Sequence, residues 1–174
     1  MFNKKLSATH KLTISALTIA LYVVVMVCTQ SFAFGQYQIR IATAIYGLSA
    51  LFPFLIVPMG LANCLSNTLM GGLGVLDIVG GTLVGIITSS VIVWGHRRGL
   101  PSFFITLAIT FIPGLLVPAW LSYLLNLPYL VLMPSVVAGQ IIPGIVAAIF
   151  VTAVEARLGK NKVLQLSADR TGAK

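Results

Sequence analysis

The sequence predicts an all-α integral membrane protein: a compact bundle of six transmembrane helices with both termini on the cytoplasmic side. Three observations carry that prediction. Of 174 residues, 58% are hydrophobic and 8% are charged, whereas soluble domains carry about 25% charged residues. Between Lys11 and Arg157 the chain holds five formal charges, Arg40, Asp77, Arg97, Arg98 and Glu155, and a charge at the bilayer centre costs at least about 2.5–3.5 kcal/mol on insertion scales. The uncharged stretches have room for roughly six spans of about 20 residues with short connections. Residues 1–11 then form a basic cytoplasmic N-terminus, 12–158 the membrane domain, and 159–174 a polar cytoplasmic tail.

The first span runs from Leu12 to about Phe34, after Lys4, Lys5 and Lys11. Ser31-Phe32-Ala33 imitates a signal-peptidase site, but the run is longer than a usual signal core, and its removal would put the Arg97-Arg98 hinge and the basic tail on opposite sides. It is read as helix. After the polar stretch Gly35 to Arg40, a second helix reaches about Phe52, where Pro53 and Pro58 bracket a connection. A third, short for a bilayer, runs from about Met59 to Met70 and ends at the flexible corner Gly71-Gly72-Leu73-Gly74. The fourth spans about Val75 to Trp94, before His96-Arg97-Arg98. The fifth, Pro101 to Leu125, contains Pro113 and Pro118; the sixth, Pro128 to Leu158, contains Pro134 and Pro143. Both are expected to be kinked or broken, and freed carbonyls at membrane depth need protein or a wet cavity to satisfy them.

Charge bias fixes the orientation. With six spans and the N-terminus inside, ten of the eleven Lys and Arg residues are cytoplasmic, while Arg40 and Asp77 fall outside. The net charge of +8 is therefore a topology signal, and no aromatic-basic surface accompanies it to suggest nucleic acid. Cys28 and Cys64 lack a metal or redox spacing.

Catalysis needs ionisable or nucleophilic groups gathered at one depth. Here His10 and His96 sit at the cytoplasmic boundary and Asp77 is the only acid between Lys11 and Glu155. No Ser-His pair, paired carboxylates or metal cluster can be assembled, and no cofactor is implied. The chain has no G-x-x-x-x-G-K-[ST] phosphate loop, so ATP-driven work falls to other subunits. What remains is a ring of hydrogen-bonding and aromatic residues near the outer face: Gln36, Tyr37, Gln38, Arg40, Asn63, Asn67, Asp77, Trp120, Tyr123, Asn126 and Tyr129. Asn63 and Asn67, spaced i, i+4, share one side of a helix and would be expensive if turned to lipid; interhelical bonding and ligand binding both suit them. For the aromatic residues an interfacial belt is the competing role. Arg40 and Asp77 form either an ion pair or contacts to a polar solute, and Gln140 is assigned to packing. Ala16 and Ala20 make a small-x-x-x-small element in the first helix, a face that allows close helix approach.

The stretches Gly35-Gln36-Tyr37-Gln38-Ile39-Arg40-Ile41-Ala42-Thr43-Ala44, Gly60-Leu61-Ala62-Asn63-Cys64-Leu65-Ser66-Asn67 and Gly74-Val75-Leu76-Asp77-Ile78-Val79-Gly80-Gly81-Thr82-Leu83 resemble the queuosine-precursor, QueT-type family. That family supplies substrate-binding S-components of energy-coupling factor (ECF) transporters, and the resemblance covers roughly residues 10 to 158. It implies a micronutrient-uptake subunit of a bacterial plasma membrane. Such a subunit binds its solute at the outward face, docks through Ala16 and Ala20 onto a transmembrane coupling (T) subunit carrying two ATPase subunits, and topples to deliver its cargo. Family members typically read Arg-Ile/Val-Ser-Glu-Ala after the first loop, whereas Arg40-Ile41 is followed here by Ala42-Thr43-Ala44, with Thr43 in place of the acidic residue. A carboxylate is the natural partner of a guanine-like base, so Thr43 marks a change in the binding set. An amide- and aromatic-lined cavity fits a large neutral solute, with a corrinoid such as cobalamin the leading expectation and a 7-deazaguanine close behind. A membrane scaffold and an autonomous small-solute channel or facilitator are the rival functions.

Overall fold

A computed structural model describes residues 6–33, 39–70 and 73–158, and within them every regular element is a helix. Helix α1 (Ala8–Cys28) starts at Ser7, whose hydroxyl accepts the His10 amide at 3.3 Å, a side-chain N-cap. It is apolar nearly all round, so only the narrow row Thr18, Tyr22, Met26, spaced i, i+4, i+8, is buried. Tyr22 and Met26 have no exposed surface, which makes α1 a wall of the main core. One further turn, α2 (Gln30–Ala33), follows.

The second segment departs most from expectation. In place of a full span ending near Phe52, a 3₁₀ helix over Ile41–Gly47 is continued by a single α turn, α3 (Leu48–Leu51). The backbone then bends at Phe52 (φ −129°, ψ 84°), the conformation a following proline imposes, and Pro53 opens a second short 3₁₀ turn, Pro53–Leu55. Helix α4 (Ile56–Leu69) tolerates Pro58 in its first turn, where no helical partner is lost. Helix α5 (Val75–Arg97) begins after Gly74, whose φ of +105° excludes side chains with a Cβ. Helices α6 (Phe103–Leu125) and α7 (Tyr129–Leu158) complete the bundle, α6 closing at Asn126 in the left-handed conformation, φ 53°.

Four helices, α1, α5, α6 and α7, are long and apolar enough to cross a membrane; Ile41–Leu51 and Pro53–Leu69 are shorter apolar helices. Leu17, Val75, Leu130 and Ile149 are each more than 60% exposed. So continuous an apolar exterior is untenable in water and is the surface a bilayer covers. The chain is a membrane protein.

The prolines of α6 and α7 do not break their helices. Pro113, Pro118, Pro134 and Pro143 all lie inside continuous α-helix. On either side of Pro143, Thr106 Oγ1 donates to Gly144 O at 3.0 Å and Thr110 Oγ1 to Gln140 O at 3.4 Å, so α6 is hydrogen-bonded to the α7 backbone around this proline. Close approach between the two helices also needs Gly114 and Gly144, where a Cβ would come within 2.6 Å of the Val137 side chain and 2.9 Å of Thr106 O. At the end of the bundle bearing Arg97, His96 Nε2 lies 3.5 Å from Glu155 Oε1 and the Arg98 guanidinium sits 4.4 Å over the Trp94 ring. The polar interior lies at the other end.

Candidate functional site

A 3₁₀ helix repeats every three residues, and this places Arg40, Thr43 and Tyr46 in one row along the segment Ile41–Gly47 and its N-cap. An α-helix would turn the same residues progressively apart. All three are buried, at 6%, 2% and 0% exposure, and the row faces the Asn63/Asn67 side of α4. Arg40 Nη1 donates to Asn63 Oδ1 at 3.3 Å and Nη2 to Asn67 Oδ1 at 2.8 Å. Each amide uses its nitrogen on another partner: Asn63 Nδ2 donates to Tyr46 Oη at 2.7 Å, and Asn67 Nδ2 to the main-chain oxygen of Asp77 at 3.0 Å. The i, i+4 spacing thus turns two carboxamides into parallel relays, each accepting from the guanidinium and donating onward.

Asp77 lies in the first turn of α5, where its charge suits the positive end of the helix. Its carboxylate accepts Trp120 Nε1 at 3.1 Å. Arg40 and Asp77 are therefore joined through Asn67, the guanidinium donating to the amide oxygen and the amide nitrogen to the Asp77 main chain, in contrast to a direct Arg40–Asp77 ion pair. On the far side of the row, Thr43 Oγ1 lies 2.7 Å from Arg40 O and 2.8 Å from Gln140 Oε1. A hydroxyl has one proton for two acceptors, so the Gln140 carboxamide can meet Thr43 with its oxygen or, after rotation, its nitrogen. Tyr22 stacks on Tyr46 with ring centroids 5.8 Å apart and hydroxyls 3.4 Å apart, extending the polar chain to α1.

Two glycines make the arrangement possible. A Cβ on Gly81 would lie 2.7 Å from Asn67 Nδ2 and 2.8 Å from Asn63 Oδ1; one on Gly80 would lie 2.8 Å from the Trp120 ring. The Gly80-Gly81 pair lets α5 accept the two amides on one side and the indole on the other.

Between these groups is a cavity of about 10 Å³, with Arg40, Thr43, Tyr46, Asn63 and Gln140 as its polar walls. Val84, Pro113, Val117 and Val136 close it with apolar surface. That volume holds about one water, so a solute enters only as the walls separate. A larger groove of about 530 Å³ at the opposite end, between Ser102, Phe103 and Thr106 of α6 and Ile149, Thr152 and Ala156 of α7, is mostly apolar. Its threonines already donate to Gly144 O and Ala148 O, which leaves a surface suited to acyl chains.

Of the residues singled out in the sequence, the structure gathers Arg40, Thr43, Asn63, Asn67, Asp77 and Trp120 into one connected set. Gln36, Tyr37 and Gln38 lie outside the described residues. Tyr123 is 75% exposed at the end of α6, apart from the set; Asn126 is the exposed α6 cap, and Tyr129 Oη donates to Leu115 O at 3.0 Å. Ala16 and Ala20 are exposed on the outer side of α1. Sequence reasoning missed Tyr22 and Tyr46 and gave Gln140 to packing. Tyr46 carried a signal only in its i+3 spacing from Thr43, visible once the helix is known to be 3₁₀. Among the described residues no cluster of His, Cys, Asp or Glu could hold a metal ion.

No curated protein and no solved structure matches the chain. The family model for the QueT transporter matches residues 12–156, a span that includes α2 to α6, most of α1 and α7, and every member of the buried polar set. This membrane protein, with its polar net sealed at one end of an apolar helical bundle, belongs to the QueT transporter family.

Proposed function

We propose that the chain is the substrate-binding S-component of an ECF-type ABC transporter, capturing a 7-deazaguanine-type queuosine precursor at the end of the bundle bearing Arg40. The observation that carries the reading is the buried net that runs from Arg40 through Asn63 to Tyr46 and through Asn67 to Asp77 and Trp120. Burying a guanidinium, two carboxamides and a carboxylate is costly when an apolar core would stabilise the bundle as well. Arg40, Tyr46 and Asn63 of this net line the cavity together with Thr43 and Gln140, and hydrogen-bonding groups that converge on a cavity are what a base with donor and acceptor edges requires. The narrow walls favour a flat, purine-sized solute over a corrinoid such as cobalamin, which is several-fold larger.

In this reading all six helical segments belong to a plasma-membrane bundle with both termini cytoplasmic, and the Arg40 end faces outward. The described residues supply no ATP-binding machinery, so energy comes from a T subunit and two ATPase subunits. The exposed Ala16 and Ala20 on α1 give a narrow face for docking onto that T subunit. Reconstitution tests the assignment. Proteoliposomes holding the chain alone should accumulate no 7-deazaguanine, and those holding the full complex should do so only with ATP. Uptake by the chain alone would make it a facilitator, and absence of binding by folded protein would leave a scaffold.

A further inference from the structure

We propose that Tyr46 sets the specificity of the cavity, its hydroxyl proton selecting a base with a ring carbonyl over the same base with an exocyclic amine at that position. This rests on the reading of the site as a deazaguanine pocket. The direction of the hydroxyl follows from its neighbours. A guanidinium only donates, so the 3.3 Å bond from Arg40 Nη1 fixes which end of the Asn63 carboxamide is the oxygen. The other end is the nitrogen, and it donates to Tyr46 Oη at 2.7 Å. With its oxygen accepting from Asn63, Tyr46 has one proton to give.

Two places are open to that proton. One is Tyr22 Oη at 3.4 Å, long for a bond between hydroxyls, which prefer about 2.7–2.8 Å. The other is the cavity, which Tyr46 and Asn63 both line. Neither tyrosine has exposed surface, so bulk water does not compete for the proton. Tyr22 is its resting partner, held alongside by the near-parallel stack of the two rings, and a carbonyl in the cavity is the better acceptor. Gly85 keeps the α5 side of the hydroxyl open, since a Cβ there would lie 3.2 Å from Tyr46 Oη. A guanine-like base brings a carbonyl, whereas an adenine-like base brings an amine at the same ring position. That amine carries protons to a hydroxyl whose oxygen Asn63 already holds, so donor meets donor.

Equilibrium binding of 7-deazaguanine and of 2,6-diamino-7-deazapurine, which replaces the carbonyl with an amine, to the purified full-length chain measures the preference, with thermal unfolding as the check on folding. The wild-type chain should favour 7-deazaguanine on the order of a hundredfold. Tyr46→Phe keeps the ring against Tyr22 but removes the proton; it should weaken 7-deazaguanine by about tenfold or more and shrink the preference at least tenfold. Tyr22→Phe removes the competing acceptor, so 7-deazaguanine should bind about two- to fivefold more tightly, with the preference kept. A folded Tyr46→Phe chain that loses affinity for both bases equally would make the tyrosine structural and overturn the proposal, as would weaker binding of 7-deazaguanine by Tyr22→Phe or equal binding of the two bases by wild type. Should Tyr46→Phe fail to fold, the Tyr22→Phe result decides. Binding of neither base by folded wild-type protein would instead remove the deazaguanine reading, and this inference with it.

Discussion

Replacing Gly81 with alanine adds one methyl group at the point where α5 meets both amides of α4. Built on the existing backbone, that carbon lies 2.7 Å from Asn67 Nδ2, 2.8 Å from Asn63 Oδ1 and 3.3 Å from Asn63 Cγ. The first two distances are too short to persist, so the amides or the helix must shift. Asn67 is held on both sides, by Arg40 at 2.8 Å and by Asp77 O at 3.0 Å, and rotating its amide breaks at least one bond. Each buried group left unsatisfied costs about 1–3 kcal/mol, more beside a charge, while alanine regains about 1 kcal/mol of helix propensity over glycine. The balance is a loss of about 1–4 kcal/mol in stability with one or two bonds broken. Thermal unfolding in detergent should fall by several degrees, and solute affinity by tenfold or more. Asn67→Ala in the same chain makes room for the methyl, so the double variant should be less destabilised than the sum of the two single changes. A Gly81→Ala chain as stable as wild type, binding equally well, would refute the placement of the amides against α5.

Asn67→Ala or Asp77→Ala should weaken solute binding by at least tenfold, while Trp94→Phe, at the opposite end against Phe104 and Arg98, should leave it within twofold; titration of the three variants decides. Trp120→Phe keeps a ring beside Gly80 but loses the 3.1 Å bond to Asp77, so affinity should fall by about 1–2 kcal/mol, or roughly five- to thirtyfold, with a smaller effect on the unfolding midpoint than Gly81→Ala. Ala16→Trp or Ala20→Trp places bulk on an exposed face of α1 and should abolish ATP-driven uptake while binding to the isolated chain stays within twofold. Normal uptake by both variants would move the docking surface elsewhere.

The helices were legible because hydrophobicity in a membrane protein is a strong signal. Four long apolar runs appear near their expected places, and the charge-poor interior singled out Arg40, Asn63, Asn67 and Asp77 as residues that lipid would not tolerate. The second segment was not legible. Nothing in Ile-Ala-Thr-Ala-Ile-Tyr-Gly distinguishes a 3₁₀ helix from an α-helix, since the choice depends on how Gly47 packs against Ala147 and how Tyr46 reaches Asn63 and Tyr22. With the helix type hidden, the row Arg40, Thr43, Tyr46 was hidden too. The bonds from Thr106 and Thr110 of α6 to the α7 backbone on either side of Pro143 were equally a tertiary effect. Gln140 was visible as a buried polar residue, but its partner Thr43 lies 97 positions away in sequence, and only the fold could bring them together.

Equilibrium titration of the purified, full-length chain with 7-deazaguanine, in detergent and without nucleotide or any other subunit, tests the central claim most directly. Saturable binding at one site per chain, abolished by Asn67→Ala in protein that still unfolds cooperatively, is the predicted result. Well-folded wild-type protein that fails to bind, or binding untouched by loss of Asn67, would contradict it.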